Sequence, residues 1–195
     1  MNGLKKHGIT SETPKSLMLE AGTVYKNLKY NEETSIWEGT VLGATSGGSK
    51  FSYVKEYLDA EVDGAKVKVK GLKFKTNEEC SLEVNMTEFA ENIIVDSLHL
   101  VEDASKSIDG KYKCYVSKSA VEESDYLENI AFVGWLTSGE AIIIILPNAF
   151  CSSGLEFEPK DKEQTVYALT FEPHADIEGN LDYLPVEIYY PQATA

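Results

Sequence analysis

The sequence predicts a mainly β protein with one flanking α-helix, folded as a β-sandwich or barrel. Three observations carry that prediction. Short runs of alternating apolar and polar residues, bounded by turn residues, recur along most of the chain. Asp-Gly and Ser-Gly dipeptides stand between such runs, where hairpins turn. One stretch alone, from Glu88 to Leu100, places its apolar residues at helical spacing. With 195 residues, one domain with an ordinary core is expected: an extended arm over 1–20, then a single β-sandwich domain over 21–195.

The arm lacks periodicity, and Pro14 discourages a helix there. From Gly22 the chain reads as strand through Thr23-Val24-Tyr25, Ile36-Trp37 and Thr40-Val41-Leu42. Residues Gly43 to Ser49 then read as a glycine- and serine-rich loop. A hairpin over Tyr57–Lys70 follows, turning at Asp63-Gly64, the pair a type I′ turn prefers because both positions take positive φ. That turn sets Val62 opposite Ala65, Ala60 opposite Val67 and Leu58 opposite Val69. On the other face Glu61 meets Lys66 and Asp59 meets Lys68, each cross-strand pair worth roughly 0.2–1 kcal/mol. Gly71, where the apolar residues change from odd to even positions, marks a bulge or strand end.

Cys80, Leu82, Val84 and Met86 alternate with polar residues and predict a half-buried strand. The helix comes next, with Thr87 as N-cap, Glu88 and Glu91 in its first turn, and a core-facing stripe through Phe89, Ile93, Ser97 and Val101. An Asp109-Gly110 turn leads into a strand over Tyr112–Val116. Ile130–Leu136 and Ala141–Leu146 flank Ser138-Gly139. With those two as the loop, Trp135 faces Ile142, Val133 faces Ile144, Leu136 faces Ala141 and Phe132 faces Ile145. Both faces are apolar, so cover is needed on two sides: from the chain's own fold on one, and from that fold or a neighbouring subunit on the other. Strands near Leu155–Glu158, Thr165–Pro173 and Val186–Tyr190 complete the chain.

The composition, 43% hydrophobic and 26% charged, is that of a globular protein. Eighteen basic residues against 32 acidic ones leave a net charge of −14, which opposes nucleic-acid binding. The run Lys66, Lys68, Lys70, Lys73, Lys75 resembles a nucleic-acid patch, yet its first members face the acids of their own hairpin and read as a solvated, paired strand face. Cys80, Cys114 and Cys151 lack CxxC spacing and a nearby histidine, which points to a reducing compartment, with Cys80 a small buried hydrophobe. Met1–Thr13 has no apolar core of a secretory signal, and Ala141–Leu146 is too short to span a bilayer, so a soluble protein with no membrane partner is expected.

No catalytic, cofactor-binding or metal residues are assigned. After Gly48 come Ser49, Lys50 and Phe51, where a phosphate loop needs Lys and then Ser or Thr, and a β segment follows rather than a helix. His7, His99 and His174 lie in no HExxH, and Ser138-Gly139 is a turn rather than a nucleophile elbow. The pairs Glu78-Glu79 and Glu122-Glu123 read as solvated connectors. A hydrolase assembled from His99, His174 and nearby acids would need a convergent pocket.

The order of these pieces resembles the major tail tube proteins of tailed phages and Gram-positive prophages. The matching stretches are Leu19-Glu20-Ala21-Gly22-Thr23-Val24-Tyr25, Gly39 through Phe51, Glu61-Val62-Asp63-Gly64, Val69-Lys70-Gly71, the strand and helix over Leu82–Leu98, Ala168 through Asp176, and Leu184-Pro185-Val186. They span most of residues 19–190, and their order carries more weight than any one of them. The resemblance implies a tail-tube type of β-sandwich or barrel that is not an enzyme. Its copies form hexameric rings, and the rings stack into the conduit for genome ejection. It also implies a place in the virion tail, assembled in the host bacterial cytoplasm. Tail terminator, tape-measure and baseplate proteins would be partners, with DNA passing through unbound. On this resemblance Gly43, Ala44, Thr45, Ser46, Gly47, Gly48 and Ser49, with the N-terminal arm, are candidate ring-to-ring contacts. Ile143 and Ile145 are candidates for closing a sheet between subunits. The alternative is a non-catalytic β-sandwich module that recognises carbohydrate or a cell-surface partner through Tyr183, Tyr189 and Tyr190.

Overall fold

The computed structural model describes residues 7–192. Ten strands and one helix follow one another as β1 (Thr23–Asn31), β2 (Ile36–Val41), β3 (Thr45–Asp59), β4 (Lys73–Met86), α1 (Glu91–Leu98), β5 (Leu100–Glu102), β6 (Tyr115–Ser117), β7 (Leu127–Trp135), β8 (Ala141–Cys151), β9 (Tyr167–Glu172) and β10 (Glu187–Tyr189). Eight strands form one sheet in the order β2-β1-β7-β8-β9-β4-β3, with β10 also on β8, while β5 and β6 pair apart. All these pairings are antiparallel. The protein is thus mainly β with one short helix, as expected. It is not a closed barrel: among the described residues the sheet ends openly at β2 and at β3.

β8 joins two wings of this sheet. Ala141 to Ala149 pair with β7, Ile143 to Ile145 also with β10, and Phe150 and Cys151 at its end pair with β9. Just before the pairing changes, Pro147 lacks an N–H and Asn148 takes a positive φ of 46°, a local irregularity that bends the strand where the two wings meet. Asn148 is held in place by side-chain bonds to the His174 carbonyl (3.1 Å) and to Asp176 (3.0 Å).

The main core lies where the wings face each other: Val24, Ile130 and Leu146 from one, Leu82, Val84, Met86, Leu169 and Phe171 from the other, and Ile93 from α1. The expected alternation of β4 is what places its apolar residues there. A second cluster, Leu28, Ala131, Val133, Ile143 and Ile145 with Tyr25 and Trp37, covers the opposite face of the β1-β7-β8 wing. β1 serves both clusters, Val24 facing one and Tyr25 the other, and a bulge between Lys26 and Lys29 changes the face so that Leu28 joins Tyr25. The buried Asn129 side chain bonds the N–H (2.8 Å) and the carbonyl (3.2 Å) of Leu28 there.

Several expectations are corrected. The β7–β8 hairpin has a three-residue loop rather than Ser138-Gly139 alone: Leu136 N–H donates to Glu140 O at 2.8 Å, and Gly139 takes a φ of +88°. The register therefore slips by one, pairing Val133 with Ile143, Phe132 with Ile144 and Ala131 with Ile145. Both apolar faces of this hairpin are covered within the protomer. In the 57–70 hairpin the strands end at Asp59 and Lys73, and Leu58 pairs with Phe74 rather than Val69. The Val62–Ala65 turn does form, with Ala65 N–H donating to Val62 O at 3.1 Å, but only Gly64 takes a positive φ, so it is not type I′. Among the described residues no core cluster lies beneath the tip to enforce the expected ladder, and a lone two-stranded ribbon is marginal. Asp109-Gly110 instead has positive φ at both positions, as a type I′ turn requires.

The helix starts at Glu91, with Ala90 at its N-cap. Thr87 is not the cap because its N–H (3.0 Å) and hydroxyl (3.2 Å) both donate to the carbonyl of Ala44, and the chain turns helical only after the extended Ala90. Leu155–Glu158 forms no strand. Glu78 and Glu79 lie within β4 rather than in a connector.

Candidate assembly surface

Gly43 to Ser49 is not a free loop. Gly43 passes over the core so closely that a Cβ would come within 2.9 Å of both Ile93 and Met86. Ala44 is clasped by Thr87 and by Glu88, whose carboxylate accepts its N–H at 3.0 Å. Thr45 and Ser49 already belong to β3, opposite Met86 and Val84. Between them Ser46, Gly47 and Gly48 form a bulge, with φ of +85° and +80° at the two glycines. This bulge sits on the open edge of the sheet.

Ile143 and Ile145 lie on the other wing and are only 7% and 5% exposed. Trp37 packs over their cluster and Tyr189 meets Trp37 edge-on at 5.0 Å, so a neighbour would reach these isoleucines only through that layer. The two groups of candidate residues are therefore not brought together.

Two surface features were not read from the sequence as sites. The first is the ribbon of β3 and β4 beyond Tyr57. Leu58, Val62, Val67, Val69 and Phe74 are all exposed on it, Val67 to 78%. Asp59 binds Lys68 at 2.6 Å, as expected, and also Lys73 at 3.3 Å. Those ammonium groups, Lys68 first, hold its carboxyl below the ordinary range. No Glu61–Lys66 ion pair forms among the described residues. The second feature is the face of the β3-β4-β9 wing turned away from the core. Cross-strand pairing puts Lys50, Ser52, Val54 and Glu56 beside Asn77, Glu79, Ser81, Glu83 and Asn85, with Ala168, Thr170 and Glu172 beyond. It is a polar face with four carboxylates and one lysine. Alternation in β4 was the signal for it.

The arm is anchored through residues 14–18. Thr137 donates its hydroxyl to the Pro14 carbonyl (2.6 Å) and its N–H to the Leu17 carbonyl (2.8 Å), and Met18 packs against Gly134. The expected arm begins at Met1, and residues 1–6 lie outside the described residues.

Packing brings His99 and His174 together around Phe150, with His99 stacked on it at 4.1 Å. Each ring donates to a main-chain carbonyl, of Cys151 (2.9 Å) and of Glu172 (3.1 Å). All three cysteines are free thiols, and burial pushes the Cys80 thiol up to about 12. Among the described residues no cluster of three His, Cys, Asp or Glu side chains is placed to hold a metal ion, and no helix is long and apolar enough to cross a membrane. Tyr183, Tyr189 and Tyr190 line three separate clefts rather than one.

Neither a protein-family model nor a curated protein matches the sequence. Among solved structures, the chain is similar to one from the virion of a native gene transfer agent particle, at 9% identity and a TM-score of 0.40, covering 80% of this chain and 92% of that one.

Proposed function

We propose that this chain is a structural virion protein, the major tail tube subunit, whose copies form hexameric rings that stack into the conduit for genome ejection. The observation that carries the reading is the open sheet with its uncovered ribbon. Unpaired strand edges at β2 and β3, and a ribbon with exposed valines, leucine and phenylalanine, are liabilities for a protein that stays alone. They are binding surfaces for a protein that meets copies of itself. The order of sequence motifs shared with tail tube proteins supports the same reading.

A contact between two different patches, repeated by rotation, closes a ring, and axial contacts extend the rings into a tube. The β3 edge, with the bulge at Ser46–Gly48, and the arm are the proposed contacts between copies. Ile143 and Ile145 would support the Trp37 layer from beneath. The acid-rich face of β3-β4-β9 would turn to the lumen, where carboxylates repel phosphates and let DNA slide unbound. Tail terminator, tape-measure and baseplate proteins would meet the ends of the tube, in a virion assembled in the host bacterial cytoplasm.

The test is negative-stain electron microscopy with sedimentation across a concentration series. Sixfold rings or tubes are expected. A strict monomer at every concentration would instead favour the second reading, a binding module. The observation for that reading is the cleft of about 470 Å³ where Tyr30, Trp37 and Tyr189 meet Lys29 and Glu128.

A further inference from the structure

The ribbon leaves the body of the sheet at a bulge. Glu56 pairs with Asn77 and Tyr57 with Lys75, so Thr76 is an extra residue on β4. A bulge bends its strand but does not by itself fix the angle. Glu78 stands beside it, with its side chain only 7% exposed. One carboxylate oxygen accepts from the Tyr53 hydroxyl and from Lys55 Nζ (3.1 Å), both on β3. The other accepts from Lys75 Nζ (2.7 Å), on the ribbon side of the bulge, and from the main-chain N–H of Leu184 (3.1 Å). Lys75 Nζ donates as well to the Asp182 carbonyl at 2.5 Å.

Asp182 and Leu184 belong to the strap, residues 173–186, that leads from β9 to β10. The β4–β9 ladder stops at Leu82–Phe171. Beyond it, clefts of about 440 and 300 Å³ open between β4 and the strap, on either side of the Glu78 contact. Among the described residues no main-chain hydrogen bond joins the strap to the Lys73–Ser81 stretch of β4. Side chains alone tie it there.

We propose that Glu78 is a latch that couples the angle of the β3–β4 ribbon to the docking of the C-terminal strap. Both strands of the ribbon's root and the strap converge on one carboxylate, so a change at any of the three alters the hold on the other two. The latch itself is a property of the monomer. Its use rests on the assembly reading, in which a neighbour that moves the ribbon also loosens the strap and, through it, the edge strand β10. The latched arrangement and a released one would then be two states that both ends bias, which is what coupling between distant sites requires.

Amide hydrogen exchange on the full-length monomeric protein tests it. Among the described residues, the hydrogen bonds of the Tyr53 and Lys55 side chains lead to the strap only through Glu78. Tyr53→Phe and Lys55→Met are therefore expected to speed exchange at the Leu184 amide by roughly three- to tenfold, the effect of one lost hydrogen bond on a local opening. Leu82 and Val84, in the core of β4, should keep their rates. Glu78→Gln should accelerate both residues 182–186 and residues 73–75. The proposal is overturned if Tyr53→Phe and Lys55→Met leave Leu184 at its original rate, or if Leu82 and Val84 accelerate equally, which would mean general destabilisation. Failure of the protein to form tubes would leave these rates untouched, so the two readings fail separately.

Discussion

Glu78 illustrates how one side chain acquires properties that its neighbours in sequence do not announce. Hydrogen bonds from Lys75 first, then from Tyr53, Leu184 and Lys55, hold its carboxyl at about 2 against an ordinary 4.5. The same bond pushes the Tyr53 phenol up. A carboxyl whose folded value is depressed adds stability that is fully present above its unfolded value and is lost as pH falls through the folded one. The thermal midpoint should therefore stay level with respect to this group down to about pH 4.5 and decline towards pH 2. Glu78→Gln, which has nothing to protonate, should show a shallower decline in the same scan. An identical slope in both proteins would mean that the carboxylate contributes nothing to folding. None of this was legible in the Glu78-Glu79 pair, which reads as a solvated connector. Its partners lie at positions 53, 55, 75 and 184, and only folding assembles them.

At the scale of elements, legibility followed how much of the pattern was local. The alternation of β4 and the two runs of the β7–β8 hairpin were plain because burial of one face dictates every second residue. The slip of one residue in that hairpin came from Gly139, whose positive φ selects a longer loop than Ser138-Gly139 alone. The helix start was missed because Thr87, a good cap by type, is taken by the Ala44 carbonyl across the sheet. Burial also decides what a charge does at Ile145. At 5% exposure, with Leu28, Ala131 and Val133 around it, Ile145→Lys places an unpaired ammonium in the second cluster. The expected result is loss of the fold itself, several kcal/mol by the usual cost of an unpaired buried charge. Chemical denaturation of that variant checks this, and a protomer of unchanged stability would mean that the cluster opens readily. The arm behaves differently. Its bonds to Thr137 and Ser138 begin at Pro14, so removing residues 1–13 should leave the thermal midpoint within about 2 °C, a shift of less than ~0.5 kcal/mol for a chain of this size. On the proposed tube, stacking of rings should weaken all the same; a large fall in the midpoint would place the arm in the core.

For the whole molecule, the main question is why a sheet with this much buried core also carries a ribbon with so little. Inside the body each strand is held by neighbours on a packed face, whereas past Tyr57 the ribbon has, among the described residues, only its own partner strand and the ion pairs of Asp59 with Lys68 and Lys73. Exposed, solvent-screened pairs of that kind contribute little and cannot order an isolated hairpin tip. Its apolar residues therefore add little to the stability of the monomer, and on the proposed assembly their value lies in contact with another copy. That separates folding from assembly in a measurable way. Val67→Asp and Leu58→Lys replace residues that are 78% and 58% exposed, and exposed substitutions normally change stability by no more than about 0.5 kcal/mol. Both variants should melt with the parent protein. In a ring or tube the same positions would be desolvated, where each apolar side chain is worth roughly 1.5–3 kcal/mol and a buried charge reverses the sign. Sedimentation should then show the variants as monomers at concentrations where the parent forms rings or tubes. If they assemble as the parent does, the ribbon is not a contact between copies, and the open edges of β2 and β3 would have to join them without it.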